Sequence, residues 1–157
     1  MEMTIRDLKK EDISLCATIA TSSSLQDVYG FTEMGWKEKL EKALEQEENL
    51  LFVVEYDTSI AGFAWAHPAG AFLCAPYLRF ISVNPTMRGK GIGKLLLQEF
   101  EQRTSHLHKD YFLLVSDFNT EAIHFYEKQG YERVGALSDF SVVGVTEIIM
   151  RKKRLTS

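Results

Sequence analysis

The stretch Val83-Asn84-Pro85-Thr86-Met87-Arg88-Gly89-Lys90-Gly91-Ile92-Gly93-Lys94 constrains this chain more than any other. An apolar run ends there, a proline-marked loop follows, and three alternate glycines open an amphipathic segment that reaches about Leu107. A strand that feeds a helix through glycines leaves bare backbone N–H groups at the helix N-terminus, where the helix dipole favours an anion. Glycine matters because a Cβ would hold the anion away from the backbone. Arg88, Lys90 and Lys94 add charge of the matching sign. The pattern predicts a strand–loop–helix unit that binds a phosphorylated small molecule.

Spacing excludes two better-known phosphate loops. A P-loop needs four residues between its glycines and a hydroxyl after its lysine. Here Gly89 to Gly93 is too short, and Leu95 replaces the hydroxyl. A dinucleotide fingerprint needs G-x-G-x-x-G after a first strand, and Gly89-x-Gly91-x-Gly93 has the wrong last interval and lies mid-chain. What fits is Arg88-Gly89-Lys90-Gly91-Ile92-Gly93 with its lead-in Phe80 to Pro85. This resembles the acetyl-CoA loop of the GNAT superfamily of N-acyltransferases. A second segment, Asn119-Thr120-Glu121-Ala122-Ile123-His124-Phe125-Tyr126-Glu127-Lys128-Gln129-Gly130-Tyr131, resembles that family's N-x-x-A-x-x-F-Y-x-x-x-G-F/Y motif. Thr4 to Asp7 and Glu147 to Met150 look like its first and last strands, so the resemblance covers essentially the whole chain.

The resemblance implies an α/β fold, a mixed, centrally splayed β-sheet flanked by helices, as a single N-acetyltransferase domain over 1–157. It implies that backbone groups at Ile81, Ser82 and Val83 hold the pantetheine of acetyl-CoA. Amides from Arg88 through Gly89, Lys90, Gly91, Ile92 and Gly93 to Lys94 would hold its pyrophosphate. Asn119 would cap a helix, contact this cosubstrate, or do both, and Tyr126 would be the general acid near the thioester sulfur. The implied activity is transfer of acetyl from acetyl-CoA to a primary amine of a small molecule or peptide by direct attack in a ternary complex. The alternative is a catalytically silent domain of the same fold that binds CoA as a sensor or partner module. A core role for Tyr126 is also open, since Ile123 shares its helix face.

Bulk properties agree with this. A chain of 157 residues with 45% hydrophobic and 25% charged residues is an ordinary globule with one core. No stretch is long and apolar enough to span a membrane, and the net charge of −4 argues against a general nucleic-acid surface. Between Asp57 and Glu99 there is no acidic residue, while Arg79, Arg88, Lys90 and Lys94 lie inside that gap. An acid-free central third in an acidic protein suits an anionic ligand. Cys16 and Cys74 show neither metal-ligand spacing nor a disulfide framework, read as small apolar fillers, and fit a cytoplasmic protein. Oligomeric state is left open: members of the superfamily are often dimers, and by that analogy an exposed final strand would be the pairing edge of a homodimer.

Periodicity predicts the order β-α-α-β-β-β-α-β-α-β-β, with helices over 11–24, 32–46 and 92–107 and a loop over 22–30. The two apolar runs around Asp57-Thr58-Ser59 read as a hairpin, and the closing strands as 132–136 and 142–150. Tyr77 to Asn84 contains no carboxylate, and Leu114 stands where ribosomal N-terminal acetyltransferases of the superfamily carry a glutamate. Asp117, Asp27, Glu33, His67 or a backbone-held water remain as bases. The acceptor pocket is expected from Ser22 to Gly35 and from the turn at Ala66 to Ala75, with Trp36 and Trp65 as core. An α-amino group of pKa near 8 costs only about 1 kcal/mol to deprotonate at pH 7, against about 4–5 for a lysine. A weak base therefore favours a low-pKa amine or small metabolite as acceptor over a protein lysine.

Overall fold

The computed structural model describes residues 2–23 and 25–154. Strand β1 (Met3–Asp7) leads through a 3₁₀ turn at Lys10–Asp12 into helices α1 (Ile13–Thr21), α2 (Leu25–Tyr29) and α3 (Glu33–Leu44). Strands β2 (Leu50–Tyr56), β3 (Ser59–Ala71) and β4 (Ala75–Val83) form a meander, and α4 (Ile92–Thr104) follows the glycine loop. Then come β5 (Asp110–Ser116), α5 (Thr120–Lys128), β6 (Glu132–Ser138) and β7 (Thr146–Lys153). The seven strands make one sheet in the order β1-β2-β3-β4-β5-β7-β6, antiparallel except for β4 beside β5.

The apolar runs are nearly continuous because both sheet faces are covered. In β2, Leu51 and Val53 pack with α1 and α3, and Phe52 and Val54 pack on the other face with Leu96, Leu97 and Phe100 of α4. Gly62 of β3 is what lets α4 approach: a Cβ there would lie 2.8 Å from the Ser82 carbonyl oxygen and 3.1 Å from Ile92 Cγ2. The helix that opens with the glycine loop is thus seated hard against the sheet, next to the end of β4.

Several expectations are corrected. The predicted 22–30 loop holds a short helix, α2, while Ser24 at the end of the first predicted helix lies outside the described residues. The third helix stops at Thr104, and the last strand begins at Thr146 because 139–145 turn back first, with the Asp139 side chain accepting from the Gly144 N–H. Periodicity turns Ile92, Leu95, Leu96 and Phe100 inward on α4, whereas Leu97 is fully buried and Leu95 only half-buried. The final strand is no free edge, since β7 pairs with β5 on one side and β6 on the other. The edges are β1 and β6. Cys16 is buried filler as expected, but Cys74 is exposed beside Phe72 and Leu73 at the β3–β4 turn. No helix among the described residues is long and apolar enough to cross a membrane.

Candidate active site

One register irregularity creates the site. On β3, Trp65 pairs with Phe80 and Ala66 with Leu78, so Arg79 is an extra residue on β4. A bulge of this kind bends its strand and lets consecutive side chains share a face. Arg79 and Phe80 do so: the Arg79 guanidinium lies 4.0 Å from the Trp65 ring centroid, and Phe80 packs 4.4 Å from Trp36. At the same point β4 leaves β5. The two strands are paired only at Tyr77–Phe112 and Leu78–Leu113, after which they diverge, as the predicted central splay requires.

The gap is part of a continuous cleft of about 980 Å³ that reaches both faces of the sheet. On one face lie the glycine loop, the start of α4, and Asn119, Ala122, Phe125 and Tyr126. On the other lie α2, the start of α3, Arg79, Phe80, Ser116 and Glu147, capped by the β6–β7 connection at Phe140 to Val142.

The loop has the geometry of an anion cradle. Gly89 and Gly91 have φ of 79° and 80°, a left-handed conformation that costs a side-chain-bearing residue about 1–2 kcal/mol. The first helical bond of α4 runs from the Leu95 N–H to the Gly91 carbonyl, so the amides of Ile92, Gly93 and Lys94 precede the ladder. Arg88 and Lys94 line the cleft, whereas the Lys90 ammonium lies 5.4 Å from the Tyr56 ring centroid, outside it. Of the three basic side chains of the loop, that of Lys90 is directed away from the cleft. Ile81, Ser82 and Val83 line the gap, and the Ser82 hydroxyl is engaged with the Ile19 carbonyl at 3.3 Å. What β4 offers the cleft here is its unpaired backbone edge.

Asn119 caps α5, its side-chain oxygen accepting from the Ala122 N–H at 3.3 Å, and it also borders the cleft. Tyr126 sits two turns further along α5, buried against Phe125 and Tyr131 at centroid distances of 5.2 and 5.9 Å. Burial pushes its pKa well above the ordinary phenol value, so the hydroxyl is held as a proton donor. It is packed in the core and borders the cleft at once, which the two sequence readings had set apart.

The opposite arm holds what sequence reasoning missed. Glu147 is only 7% exposed on β7 and stands opposite Ser116 in the β5–β7 ladder. Tyr29 Oη donates to Glu147 Oε2 at 2.6 Å, Ser116 Oγ donates to the same oxygen at 3.2 Å, and the Tyr29 and Ser116 hydroxyls also touch each other. A lone buried carboxylate would cost several kcal/mol, which these donors offset. Burial, with the bond to Glu147, pushes the Tyr29 pKa up to about 12. Asp117, Asp27 and Glu33 are exposed, and neither they nor His67 line the cleft. Glu147 reads in sequence as one polar residue within the closing strand, and only the fold turns it inward.

Of the segments expected to form an acceptor pocket, only one lines the cleft. Tyr29 to Gly35 contributes, but the β3–β4 turn does not: Phe72 and Leu73 are 76% and 92% exposed at a solvent-facing tip. The 139–145 connection supplies that wall instead. Trp36 and Trp65 are buried core residues, as expected, whose edges floor the arm.

A splayed sheet with an amide cradle at one end and a buried carboxylate at the other is an acyltransferase architecture. The chain belongs to the GNAT acetyltransferase family: the model of the acetyltransferase (GNAT) domain matches residues 4–154. The uncharacterized protein YdhI of Bacillus subtilis is 34% identical over 79 residues, 45% of this chain and 49% of that protein, so the match spans about half of the relative's length. A protein from Desulfovibrio desulfuricans assigned to the GNAT acetyltransferases superposes with a TM-score of 0.82 at 22% identity, over 97% of this chain and 99% of that one. PaiA N-acetyltransferase from Thermoplasma acidophilum, in complex with coenzyme A, gives 0.73 at 24% identity, over 98% and 99%. At these identities the structural likeness establishes the fold. Proteins of this fold use acetyl-CoA, and a coenzyme A complex is among the similar structures.

Proposed function

We propose that this chain transfers the acetyl group of acetyl-CoA to a primary amine by direct attack within a ternary complex. The observation that carries the reading is the single cleft running from the amide cradle at Arg88 to Lys94, through the β4–β5 gap, to Glu147. The loop amides would take the pyrophosphate, and the unpaired edge of β4 at Ile81 to Val83 would hold the pantetheine. Each offers backbone groups of the kind that suits its ligand.

Acetyl-CoA supplies its acyl group as a thioester: a C–N bond forms, the C–S bond breaks, and CoA leaves as the thiol. Two proton movements accompany this. The amine gives up a proton, for which Glu147 is the buried carboxylate in the acceptor arm, and the sulfur gains one, for which Tyr126 is the donor with raised pKa. Solvent then returns both groups to their starting state. Tyr29 and Ser116 fix the carboxylate's orientation, leaving Glu147 Oε1 with only a 3.5 Å contact from Ser116.

Thermal unfolding with acetyl-CoA, beside ATP and NAD, tests binding. At about a hundred times Kd a ligand adds about 2.7 kcal/mol, a rise of about 5–10 °C in Tm for a domain of this size. An equal rise with ATP, or none with acetyl-CoA, refutes the cradle assignment. Thiol release with an amine panel tests transfer. Tyr126→Phe should keep the acetyl-CoA shift and lower turnover about ten- to a thousandfold. Full turnover in that variant would make Tyr126 a packing residue.

A further inference from the structure

The acceptor arm carries two cations that the cradle does not use. Arg79 lies against Trp65 at 4.0 Å, and the Lys39 ammonium lies 5.5 Å from the Trp36 centroid and 5.7 Å from that of Phe31. Among the described residues neither belongs to an ion pair. Arg79 sits at the apex of the splay, four residues before the end of β4, so about 13 Å of strand separates it from Val83, where the chain leaves the sheet for the glycine loop. Its bulge position aims it onto the α3 face, with the acceptor elements.

Arg79, Glu147 and Tyr77 line the same cleft. Burial raises the pKa of Tyr77, the Arg79 charge draws it down and the Glu147 charge pushes it up, yet arginine and carboxylate do not meet as an ion pair. Opposite charges that line one cleft of this size without pairing leave room for a ligand bearing both signs. A polycation is a poor match for an arm with two cations and one carboxylate already bonded to two hydroxyls.

We infer that the acceptor carries an anionic group beside its amine, as a free α-amino acid does, with Arg79 receiving its carboxylate, Lys39 at the rim and Glu147 facing its amine. This rests on the acetyl-transfer reading above. An arginine–carboxylate contact is charge-assisted and planar on both sides, which gives it strength and direction.

The test is thiol release from acetyl-CoA with the proteinogenic L-amino acids, their carboxamides, and short peptides with free N-termini. The native chain should show its highest kcat/KM on a carboxylate-bearing acceptor. Arg79→Ala should lower the ratio of carboxylate to carboxamide kcat/KM about ten- to a hundredfold, chiefly through KM, and Arg79→Lys should restore part of it. A native chain that prefers the carboxamide or a peptide overturns the inference and leaves acetyl transfer standing. A ratio unmoved by Arg79→Ala, in a variant whose Tm still rises with acetyl-CoA, overturns it equally. If no amine releases thiol and acetyl-CoA does not raise Tm, the acetyl-transfer reading fails first and takes the inference with it.

Discussion

Replacing Gly93 with alanine should move stability and acetyl-CoA affinity in opposite directions. Gly93 is the second residue of α4, and its φ lies outside the left-handed region, so alanine fits the backbone. An added Cβ would meet Phe125 Cζ at 3.5 Å and Val83 Cγ2 at 3.9 Å, ordinary van der Waals contact. Glycine to alanine inside a helix is worth about 0.5–1 kcal/mol. The ligand-free Tm should therefore rise by about 1–4 °C. The same Cβ stands in the cleft beside the loop amides, where it would hold a pyrophosphate off the backbone. Losing one charge-assisted contact weakens Kd by about ten- to a hundredfold. Gly91→Ala is the contrast: nothing lies within 4 Å of its Cβ, but φ is 80°, so Tm should fall by about 2–8 °C. Differential scanning fluorimetry and calorimetric titration read both quantities. Unchanged affinity in Gly93→Ala would refute the cradle, and a lowered Tm would refute the packing argument.

Two other perturbations probe the rest of the reasoning. Glu147→Gln should retain the acetyl-CoA shift but lose about a hundred- to ten-thousandfold in turnover by thiol release; turnover near the native level would reduce the carboxylate to an anchor for Tyr29. The stability–pH profile should fall at both ends, followed by urea midpoints. The Arg6 guanidinium, bonded to Asp12 at 2.7 and 3.0 Å, holds that carboxyl below its usual 3.8. The contribution of Asp12 is complete above about pH 4 and is lost as pH falls further, a limb that Asp12→Asn should flatten. Tyr29, raised from 10.0 to about 12, contributes fully below pH 10 and loses that contribution as pH rises through 12, which Tyr29→Phe should remove. A profile indifferent to both substitutions would refute these assignments.

The cradle was legible in the sequence because its chemistry is local. Alternate glycines, a preceding apolar strand and a following amphipathic helix occupy adjacent positions, and left-handed φ at Gly89 and Gly91 follows from that order. Asn119 and Gly130 bound α5 for the same reason: a cap acts within one turn. The acceptor arm was not legible because it is assembled from distant segments. Tyr29, Ser116 and Glu147 come from a five-residue helix and two strands, and no spacing encodes their meeting. The bulge at Arg79 is likewise invisible to alternation, which would set Arg79 and Phe80 on opposite faces; the pairing of β3 with β4 puts both over the tryptophans. The sequence by itself determined where an anion could bind, since backbone conformation is a property of neighbours. Only the tertiary structure decided which charges face the acceptor, since that depends on strand register and on which faces remain uncovered.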